Sequence, residues 1–384
     1  MEFPVSVKSK LPNVGTTIFT VMSALAQEHG AINLAQGFPD FSCSPDLIAL
    51  VNEYMKKGFN QYAPMPGVMK LRERIAEKTQ DIYSAKYDPE LEITVVPGAT
   101  HAIYAVISSM VREGDEVIVL EPCYDSYVPA IELNGGRPVH YEMKAPDYRV
   151  DWNEVKRLIN FKTRMIIINT PHNPTGSILN AQDMQKLQKI LQNTDVIVLS
   201  DEVYEHIIFD AIEHQSVARF PKLAERSFIV SSFGKTYHTT GWKLGYVLAP
   251  QNLTREFRKV HQFIAFAANT PIQYAVADFI TRKDEYLQLS AFYQEKRDYF
   301  RKLVKSSNFK LLPCQGSYFQ LLNFSKITQE KDTDFAIRLT KDFKVASIPS
   351  SVFYHKKIDN NVLRFCFAKE NETLEKAAEL LMKV

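Results

Sequence analysis

The stretch "MIIINTPHNPTG", residues 165–176, joins an unbroken apolar run to a polar loop. Apolar and β-branched residues without alternation are typical of a strand that is covered on both faces, as in a parallel sheet. Similar runs recur between residues 92 and 249, and segments with the apolar spacing of helices separate several of them. Strands that alternate with helices predict an α/β domain with a mostly parallel sheet. The other runs are "EITVVP" (92–97), "EVIVL" (116–120), "VIVLS" (196–200), "SFIVSS" (227–232) and "LGYVLA" (244–249).

The last hundred residues follow a different pattern. Residues 273–306 are charged and aromatic and predict one or two long helices, and an amphipathic helical pattern covers residues 372–384. Short apolar runs between them predict strands, so we expect a second, smaller α+β unit. These runs are "SYFQLLNF" (317–324), "VASIP" (345–349) and "VLRFCF" (362–367).

Three divisions of the chain are predicted. Residues 1–45 form an N-terminal segment that joins the smaller unit, and residues 46–285 form the large domain. Residues 286–384 form the small C-terminal domain. We find no repeat and no low-complexity linker, so the two units are expected to pack tightly.

The composition argues for a small-molecule partner. The 46 Lys and Arg residues balance 44 Asp and Glu residues, and the net charge of +2 favours neither nucleic acid nor an anionic membrane. No apolar run has the length of a signal peptide or a membrane span, which predicts a soluble, cytoplasmic protein. The four cysteines lack the paired spacing of a disulfide framework or a zinc site and are expected to be ordinary buried thiols.

Polar residues follow four of the predicted strands. Ligands of parallel sheets bind outside the carboxyl ends of the strands, so one site could collect all four segments. Gly98, Ala99 and Thr100 begin a helix after the first strand, where free N–H groups can bind an anion. The other segments are "TPHNPTG" (170–176), "DEVYE" (201–205) and "SFGK" (232–235).

Each of these residues also has an ordinary structural interpretation. Asp201 is either a helix cap or the partner of a buried cation, and Asn173 is by itself a common turn residue. A lone lysine such as Lys235 is usually a surface charge, but a desolvated lysine amine becomes a nucleophile toward carbonyl groups. Ser232 and Lys243 lie close enough in sequence to hold a phosphate. An amine, a carboxylate and a phosphate cradle together are what a pyridoxal phosphate enzyme requires.

The chain resembles the class I and II pyridoxal phosphate aminotransferases of fold type I. The motifs "QGFPDF" (36–41), "NTPHNPTG" (169–176), "DEVYEH" (201–206), "SSFGKTYHTTGWKLGY" (231–246) and "LRFCFA" (363–368) occur in the order of that family. The resemblance covers nearly the whole chain and is strongest to the branch with methionine and kynurenine–glutamine aminotransferases. It implies an α/β fold in which the large, cofactor-binding domain has a mostly parallel seven-stranded sheet.

The resemblance assigns roles around the cofactor ring. Lys235 would bind the cofactor aldehyde covalently and, once released by substrate, carry the proton as a general base. Asp201 would pair with the pyridine nitrogen, and Asn173 and Tyr204 would donate hydrogen bonds to the ring oxygen. Tyr124 would stack on the ring.

The resemblance also assigns the phosphate site. The N–H groups of Ala99 and Thr100, the hydroxyl of Ser232 and the amine of Lys243 would hold the phosphate. Tyr62 would reach it from a second subunit, which implies a homodimer with shared active sites. At position 243 the family more often has an arginine. The ammonium of Lys243 would bind the phosphate as a point charge, whereas an arginine guanidinium would donate two hydrogen bonds to it.

For the substrate, the resemblance assigns the α-carboxylate to Arg364, aided by the backbone of Gly37 and the amide of Asn173. The alternative is that Arg364 pairs with an Asp or Glu within the fold. Phe19 and Phe266, with Tyr62 and Tyr124, match positions near the side-chain pocket. No second arginine matches a reader of dicarboxylates, so methionine, aromatic amino acids and glutamine are expected as donors in preference to aspartate.

The implied activity is transfer of the α-amino group to a 2-oxo acid by a ping-pong mechanism. One alternative is a C–S β-lyase, since the same lysine, aspartate and arginine would serve it. A second alternative is an effector-binding regulator with an aminotransferase-like domain. That alternative normally carries a DNA-binding segment, for which we find neither spare length nor a basic surface.

Overall fold

The computed structural model describes residues 5–384. The strands of this range are β1 (Ile32–Asn33), β2 (Ile93–Val96), β3 (Glu116–Glu121), β4 (Arg137–Glu142), β5 (Thr163–Asn169), β6 (Ile197–Asp201), β7 (Ser227–Ser232), β8 (Gly245–Leu248), β9 (Lys310–Leu311), β10 (Phe319–Asn323), β11 (Val345–Ala346), β12 (Ile348–Pro349) and β13 (Val362–Cys366). Its helices are α1 (Ile18–Glu28), α2 (Pro45–Lys56), α3 (Met69–Tyr83), α4 (Ala99–Met110), α5 (Tyr127–Leu133), α6 (Trp152–Leu158), α7 (Ala181–Ile190), α8 (Pro221–Ala224), α9 (Phe233–Thr236), α10 (Gln251–Ile264), α11 (Thr270–Phe279), α12 (Asp284–Leu287), α13 (Leu289–Val304), α14 (Asp332–Asp342) and α15 (Asn371–Leu381).

A seven-stranded sheet with the strand order β2-β8-β7-β6-β5-β3-β4 forms the larger unit. Only β8 runs antiparallel to its neighbours, so the carboxyl ends of the other strands lie at one edge. The α/β fold with a mostly parallel seven-stranded sheet is thereby confirmed. The six apolar runs of the sequence all lie in this sheet. The seventh strand, β4, has a proline and several half-exposed residues at the sheet edge, which is why it lacks a continuous apolar signal.

Helix α4 shows how the sequence pattern positions the site. Its residues Ile103, Val106, Ile107 and Met110 follow helical spacing and are all buried in the core beside the sheet. Burial of each such side chain stabilises the fold by roughly 1.5–3 kcal/mol. This packing fixes the helix with its N-terminus directly after β2, at the carboxyl edge of the sheet.

The smaller unit has an antiparallel sheet with the strand order β12-β13-β10-β9. The run "VASIP" forms two short strands, and one of them, β11, pairs in parallel with β1 near the N-terminus. Residues 273–306 contain most of α11, the single turn α12 and the whole of the long helix α13, which agrees with the expectation of one or two long helices. The polar residues 281–283 lie between α11 and α12 and are not helical.

The domain boundaries at residues 45 and 285 stay predictions, and residues 1–4 of the N-terminal segment lie outside the described part. Within residues 5–384, no helix combines the length and the apolar character that crossing a membrane requires. The four cysteines are free thiols. Cys123, Cys314 and Cys366 are buried, and Cys43 is partly exposed.

Candidate active site

A cavity of about 300 Å³ opens at the carboxyl edge of the seven-stranded sheet. Residues from the ends of several strands line it, together with residues from the N-terminal segment and from β13. A larger groove of about 650 Å³, on the surface near α3, contains none of the predicted site residues. The predicted site residues that line the cavity are Phe19, Gly37, Ala99, Thr100, Tyr124, Asn173, Asp201, Tyr204, Ser232, Lys235, Lys243 and Arg364.

Lys235 lies on the short helix α9, directly after β7. Its Nζ donates hydrogen bonds to the Gly37 carbonyl at 3.0 Å and to the Tyr318 hydroxyl at 2.6 Å. Burial lowers the pKa of Lys235 to about 8, and the positive charge of Arg364 acts in the same direction. The amine is therefore neutral in a larger fraction of molecules near neutral pH than a surface lysine, and neutral amine is the nucleophilic form.

Asp201 ends β6 and is 4% exposed. Its carboxylate accepts hydrogen bonds from the Tyr127 hydroxyl at 2.6 Å and from the Val203 backbone N–H at 3.3 Å. Both donors are neutral, and burial raises the pKa of Asp201 to about 6. A buried carboxylate with only neutral donors can still be stabilised by a cation, so it fits a positively charged group bound in the cavity.

The loop after β5 is tied to Asp201 and to β13. The Asn173 backbone N–H donates to the Asn169 side-chain oxygen at 2.8 Å, and the Asn169 amide donates to the Asp201 carbonyl at 2.9 Å. The side-chain oxygen of Asn173 accepts a hydrogen bond from Arg364 at 2.7 Å. Tyr204 is buried beside this loop, and burial raises the pKa of its hydroxyl, which stays protonated as a hydrogen-bond donor.

Arg364 is a buried cation that contacts no acidic side chain within residues 5–384. It is 1% exposed, and its guanidinium donates to Asn173 and, at 2.8 Å, to the Ala35 carbonyl. The Phe319 ring centroid lies 3.9 Å from the guanidinium carbon and the Phe19 centroid 5.1 Å from it. Burial lowers the pKa of Arg364 to about 10, and its Nε has no hydrogen-bond partner among the described residues. The alternative pairing with an Asp or Glu is thus not observed in this range, and an anion in the cavity would supply a partner.

The other end of the cavity suits a phosphate. Gly98 precedes α4 with φ of 84°, and a Cβ at this position would lie 3.4 Å from Lys243 Nζ, in a backbone conformation that L side chains rarely adopt. The N–H groups of Ala99 and Thr100 lie in the first turn of α4, where helical N–H groups lack intrahelical partners. Ser232 and Lys243 line the same end. Backbone donors, a hydroxyl and an ammonium together match a phosphate dianion.

Tyr62 and Phe266 lie outside this cavity. Tyr62 is 85% exposed and Phe266 is 45% exposed, and their rings meet edge to face with centroids 5.5 Å apart. Tyr124 lies inside the cavity, and its hydroxyl is 3.4 Å from the Thr100 hydroxyl. The structure therefore brings twelve of the fourteen predicted residues together and leaves Tyr62 and Phe266 at the surface.

Two tyrosines of the site are not predicted from the sequence. Tyr127 holds Asp201, and Tyr318 contacts Lys235. Both are buried and occur in stretches that look like ordinary core segments. The signal that could have found them is the phenolic hydroxyl, since a buried hydroxyl needs a hydrogen-bond partner.

The chain is similar in sequence and in structure to known aminotransferases. The family model described as aminotransferase class I and II matches residues 29–381. The methionine aminotransferase of Escherichia coli is 47% identical over 99% of both chains. The kynurenine–oxoglutarate transaminase of Dictyostelium discoideum is 32% identical over 100% of this chain and 98% of its own. A crystal structure from Escherichia coli, for which a methionine aminotransferase function was identified, superposes with a TM-score of 0.96 at 46% identity and covers 99% of this chain and 100% of its own.

These relatives do not favour the lyase alternative. Members of the class I and II family depend on pyridoxal phosphate, and the cavity offers an amine, a buried carboxylate and a phosphate cradle for that cofactor. The family match extends over most of the sequence. The chain therefore belongs to the pyridoxal phosphate-dependent class I and II aminotransferases.

Proposed function

We propose that this aminotransferase takes the α-amino group of methionine and of aromatic amino acids, with glutamine as a further donor, and transfers it to a 2-oxo acid by a ping-pong mechanism. The observation that carries this proposal is the surroundings of Arg364. One buried guanidinium is available for one carboxylate, and aromatic rings lie against it. The Escherichia coli relative named for methionine supports the same donor.

The residues of the cavity fit the cofactor part by part. Lys235 would bind its aldehyde, Asp201 would pair with its ring nitrogen, and Tyr204 and Asn173 would donate to its ring oxygen. Tyr124 would stack on the ring. The phosphate would bind to the N-terminus of α4 with Ser232 and Lys243. The cofactor, when bound, supplies an electron-withdrawing ring that makes the α-proton of the amino acid acidic.

Lys235 acts as the base in this proposal. Its amine takes the proton from the substrate α-carbon and holds it at Nζ. It would then deliver the proton to the former aldehyde carbon of the cofactor, because return to the α-carbon would only restore the amino acid. Burial lowers the pKa of this amine to about 8. A base with a pKa near the working pH combines a useful neutral fraction with enough basicity to take the proton.

The wall of the cavity selects the donor side chain. Arg364 holds the α-carboxylate, and Phe19, Phe319 and Tyr124 present apolar surface beside it. Burial of a methionine or phenylalanine side chain contributes roughly 1.5–3 kcal/mol. The second carboxylate of aspartate would meet this wall without a matching cation and would lose its hydration.

The first test is donor specificity. We expect kcat/KM for methionine and phenylalanine to exceed that for aspartate by about one to two powers of ten, as their side-chain burial implies. Arg364→Lys should lower kcat/KM for all donors alike, because each donor loses the same bidentate contact. Phe19→Ala should reduce the preference for methionine and phenylalanine over aspartate. The measurement is kcat/KM for these three donors and glutamine with one common oxo acid.

Two outcomes would contradict the proposed specificity. If aspartate equals methionine in the native enzyme, the apolar pocket does not select the donor. If Arg364→Lys impairs one donor only, Arg364 recognises side chains instead of the common carboxylate.

We also propose that the enzyme is a cytoplasmic homodimer with shared active sites. Free thiols suit a reducing compartment. Tyr62, Phe263, Ile264 and Phe266 are 85%, 87%, 43% and 45% exposed, and contiguous exposed apolar surface of this kind marks protein interfaces. In the dimer, Tyr62 would reach the phosphate of the partner's site and Phe266 would complete the partner's side-chain pocket.

Mixing two inactive variants tests the shared site. In a hybrid of Tyr62→Ala with Lys235→Ala subunits, one site regains both intact residues, so an equal mixture should recover about a quarter of native activity after random exchange. Activity is measured before and after subunit exchange. Each variant alone is the control and must be inactive. Absence of recovery after proven exchange, or a fully active monomer in sedimentation, would refute the shared site.

A further inference from the structure

Tyr318 contacts the amine that performs the chemistry. The residue directly precedes β10 and is fully buried. Its hydroxyl accepts a hydrogen bond from Lys235 Nζ at 2.6 Å and donates its own hydrogen to the Gly37 carbonyl. Its ring packs edge to face on Tyr204 with centroids 5.1 Å apart and lies 5.8 Å from the ring of Tyr293. Packing and hydrogen bonding therefore hold the Tyr318 hydroxyl in one place.

The Gly37 carbonyl completes this arrangement. It accepts a second hydrogen bond from Lys235, at 3.0 Å. A Cβ at position 37 would lie 2.8 Å from the ring of Phe319, so a glycine is needed for the chain to pass this close. Lysine has a flexible four-carbon stem, and two fixed acceptors restrict the directions in which its amine can point.

We propose that Tyr318 is a positioning residue of the aminotransferase reaction, whose hydroxyl holds the Lys235 amine together with the Gly37 carbonyl in the orientation for proton transfer. This inference rests on the proposed role of Lys235 as the base. When the neutral amine takes the α-proton, the C–H bond breaks, its electron pair stays with the substrate and cofactor, and an N–H bond forms. The resulting ammonium has three N–H groups. Two bind Gly37 and Tyr318, and the third carries the proton taken from the α-carbon, which would pass to the former aldehyde carbon of the cofactor.

The charge of the amine depends on Tyr318 in a definite direction. Because the hydroxyl hydrogen is donated to Gly37, its oxygen faces Lys235 as an acceptor, and an acceptor favours the charged ammonium. Burial raises the pKa of the Tyr318 hydroxyl well above its usual range, so it stays a neutral phenol. Other groups act on the amine as well. Burial opposes its charged form, as do Arg364 and Lys243, whereas Cys366 and Asp201 favour that form.

The test compares Tyr318→Phe with Tyr293→Phe. Tyr293 is a matched control because its hydroxyl is buried nearby and has no hydrogen-bond partner within residues 5–384. In the full chain without cofactor, the pKa of the Lys235 amine is measured by acetic anhydride labelling at a series of pH values and peptide mass spectrometry. We expect it to fall by about one unit in Tyr318→Phe, the effect of losing one hydrogen bond to a charged group. Tyr293→Phe should leave it unchanged.

In the holoenzyme, single-turnover rates with methionine are measured across pH. Tyr318→Phe should lower the maximal rate by about tenfold, because the Lys235 amine is no longer held in the orientation for proton transfer. KM should change little. The acid limb of the pH–rate profile of Tyr318→Phe should move to lower pH together with the pKa of the Lys235 amine. Tyr293→Phe should behave like the native enzyme.

Three results would overturn the role of Tyr318: an unchanged amine pKa, an unchanged single-turnover rate, or equal losses in both phenylalanine variants. Equal losses would indicate core packing instead of positioning. A failure of the proposed function is distinguishable, because it would appear in the native enzyme as absence of transamination, whereas the labelling experiment does not depend on turnover.

Discussion

Lys235→Ala is expected to abolish turnover and covalent cofactor attachment while the fold persists. Loss of a general base alone costs about two to four powers of ten, and loss of the nucleophile removes the covalent link as well. In the native enzyme, borohydride reduction followed by peptide mapping should place the cofactor label on Lys235. The lysine amine lies in the cavity between Gly37 and Tyr318, where no backbone change is needed to remove it.

Lys243→Ala is the matched control for this experiment. Lys243 lines the same cavity at the phosphate end, so its loss should weaken cofactor binding without moving the label. A label on Lys243, or a Lys235→Ala variant that retains the label and turns over, would show that another amine is the nucleophile.

Asp201→Asn should lower the single-turnover rate by about two to three powers of ten, the typical cost of removing a preorganised electrostatic group. An amide cannot keep the cofactor's ring nitrogen protonated as a carboxylate does. Asparagine has the shape of aspartate and can still accept the hydrogen bond from Tyr127. Near-normal single-turnover rates in this variant would remove Asp201 from the mechanism.

The same substitution should stabilise the chain without cofactor. Burial raises the pKa of Asp201 from 3.8 to about 6, so the folded chain binds this proton more tightly than the unfolded chain. Stability then falls as the pH rises through this window, and the cost is fully present above it. Urea unfolding above pH 6 should therefore show Asp201→Asn more stable by up to about 3 kcal/mol, and the two proteins should converge toward about pH 4. A less stable variant at neutral pH would contradict this origin of the pKa.

The sequence patterns predict the fold where apolar residues are continuous. β5 and β6 consist largely of buried β-branched and aliphatic residues, and their ends bring Asn169 and Asp201 into register. β4 is not predicted, because an edge strand is only half buried and needs no continuous apolar run. The sequence leaves open whether one or two long helices cover residues 273–306, because one long helix and two consecutive helices share the same charged and aromatic composition.

Site residues are predictable where a polar residue lies at the end of a strand or within a few residues after it. Lys235 and Asp201 stand out in this way, since neither a lysine nor an aspartate is expected beside a buried strand without a reason. Tyr318 is not predictable, because a tyrosine before an apolar strand fits the core equally well. The contact between Arg364 and Asn173 joins residues 191 positions apart, and no local pattern encodes such a distance.

The hydrogen bond from Arg364 to Ala35 has a consequence for how the chain is made. It joins residues 329 positions apart, and the pairing of Ile32 with Val345 closes the same long loop. When the segment around Ala35 leaves the ribosome, nearly the entire chain must still be synthesised before Val345 and Arg364 exist. The N-terminal segment therefore lacks its final contacts during most of translation. Contacts between residues this far apart in sequence form slowly. Chains interrupted before residue 364 would contain all strands of the seven-stranded sheet but would lack the arginine that we propose binds the substrate carboxylate.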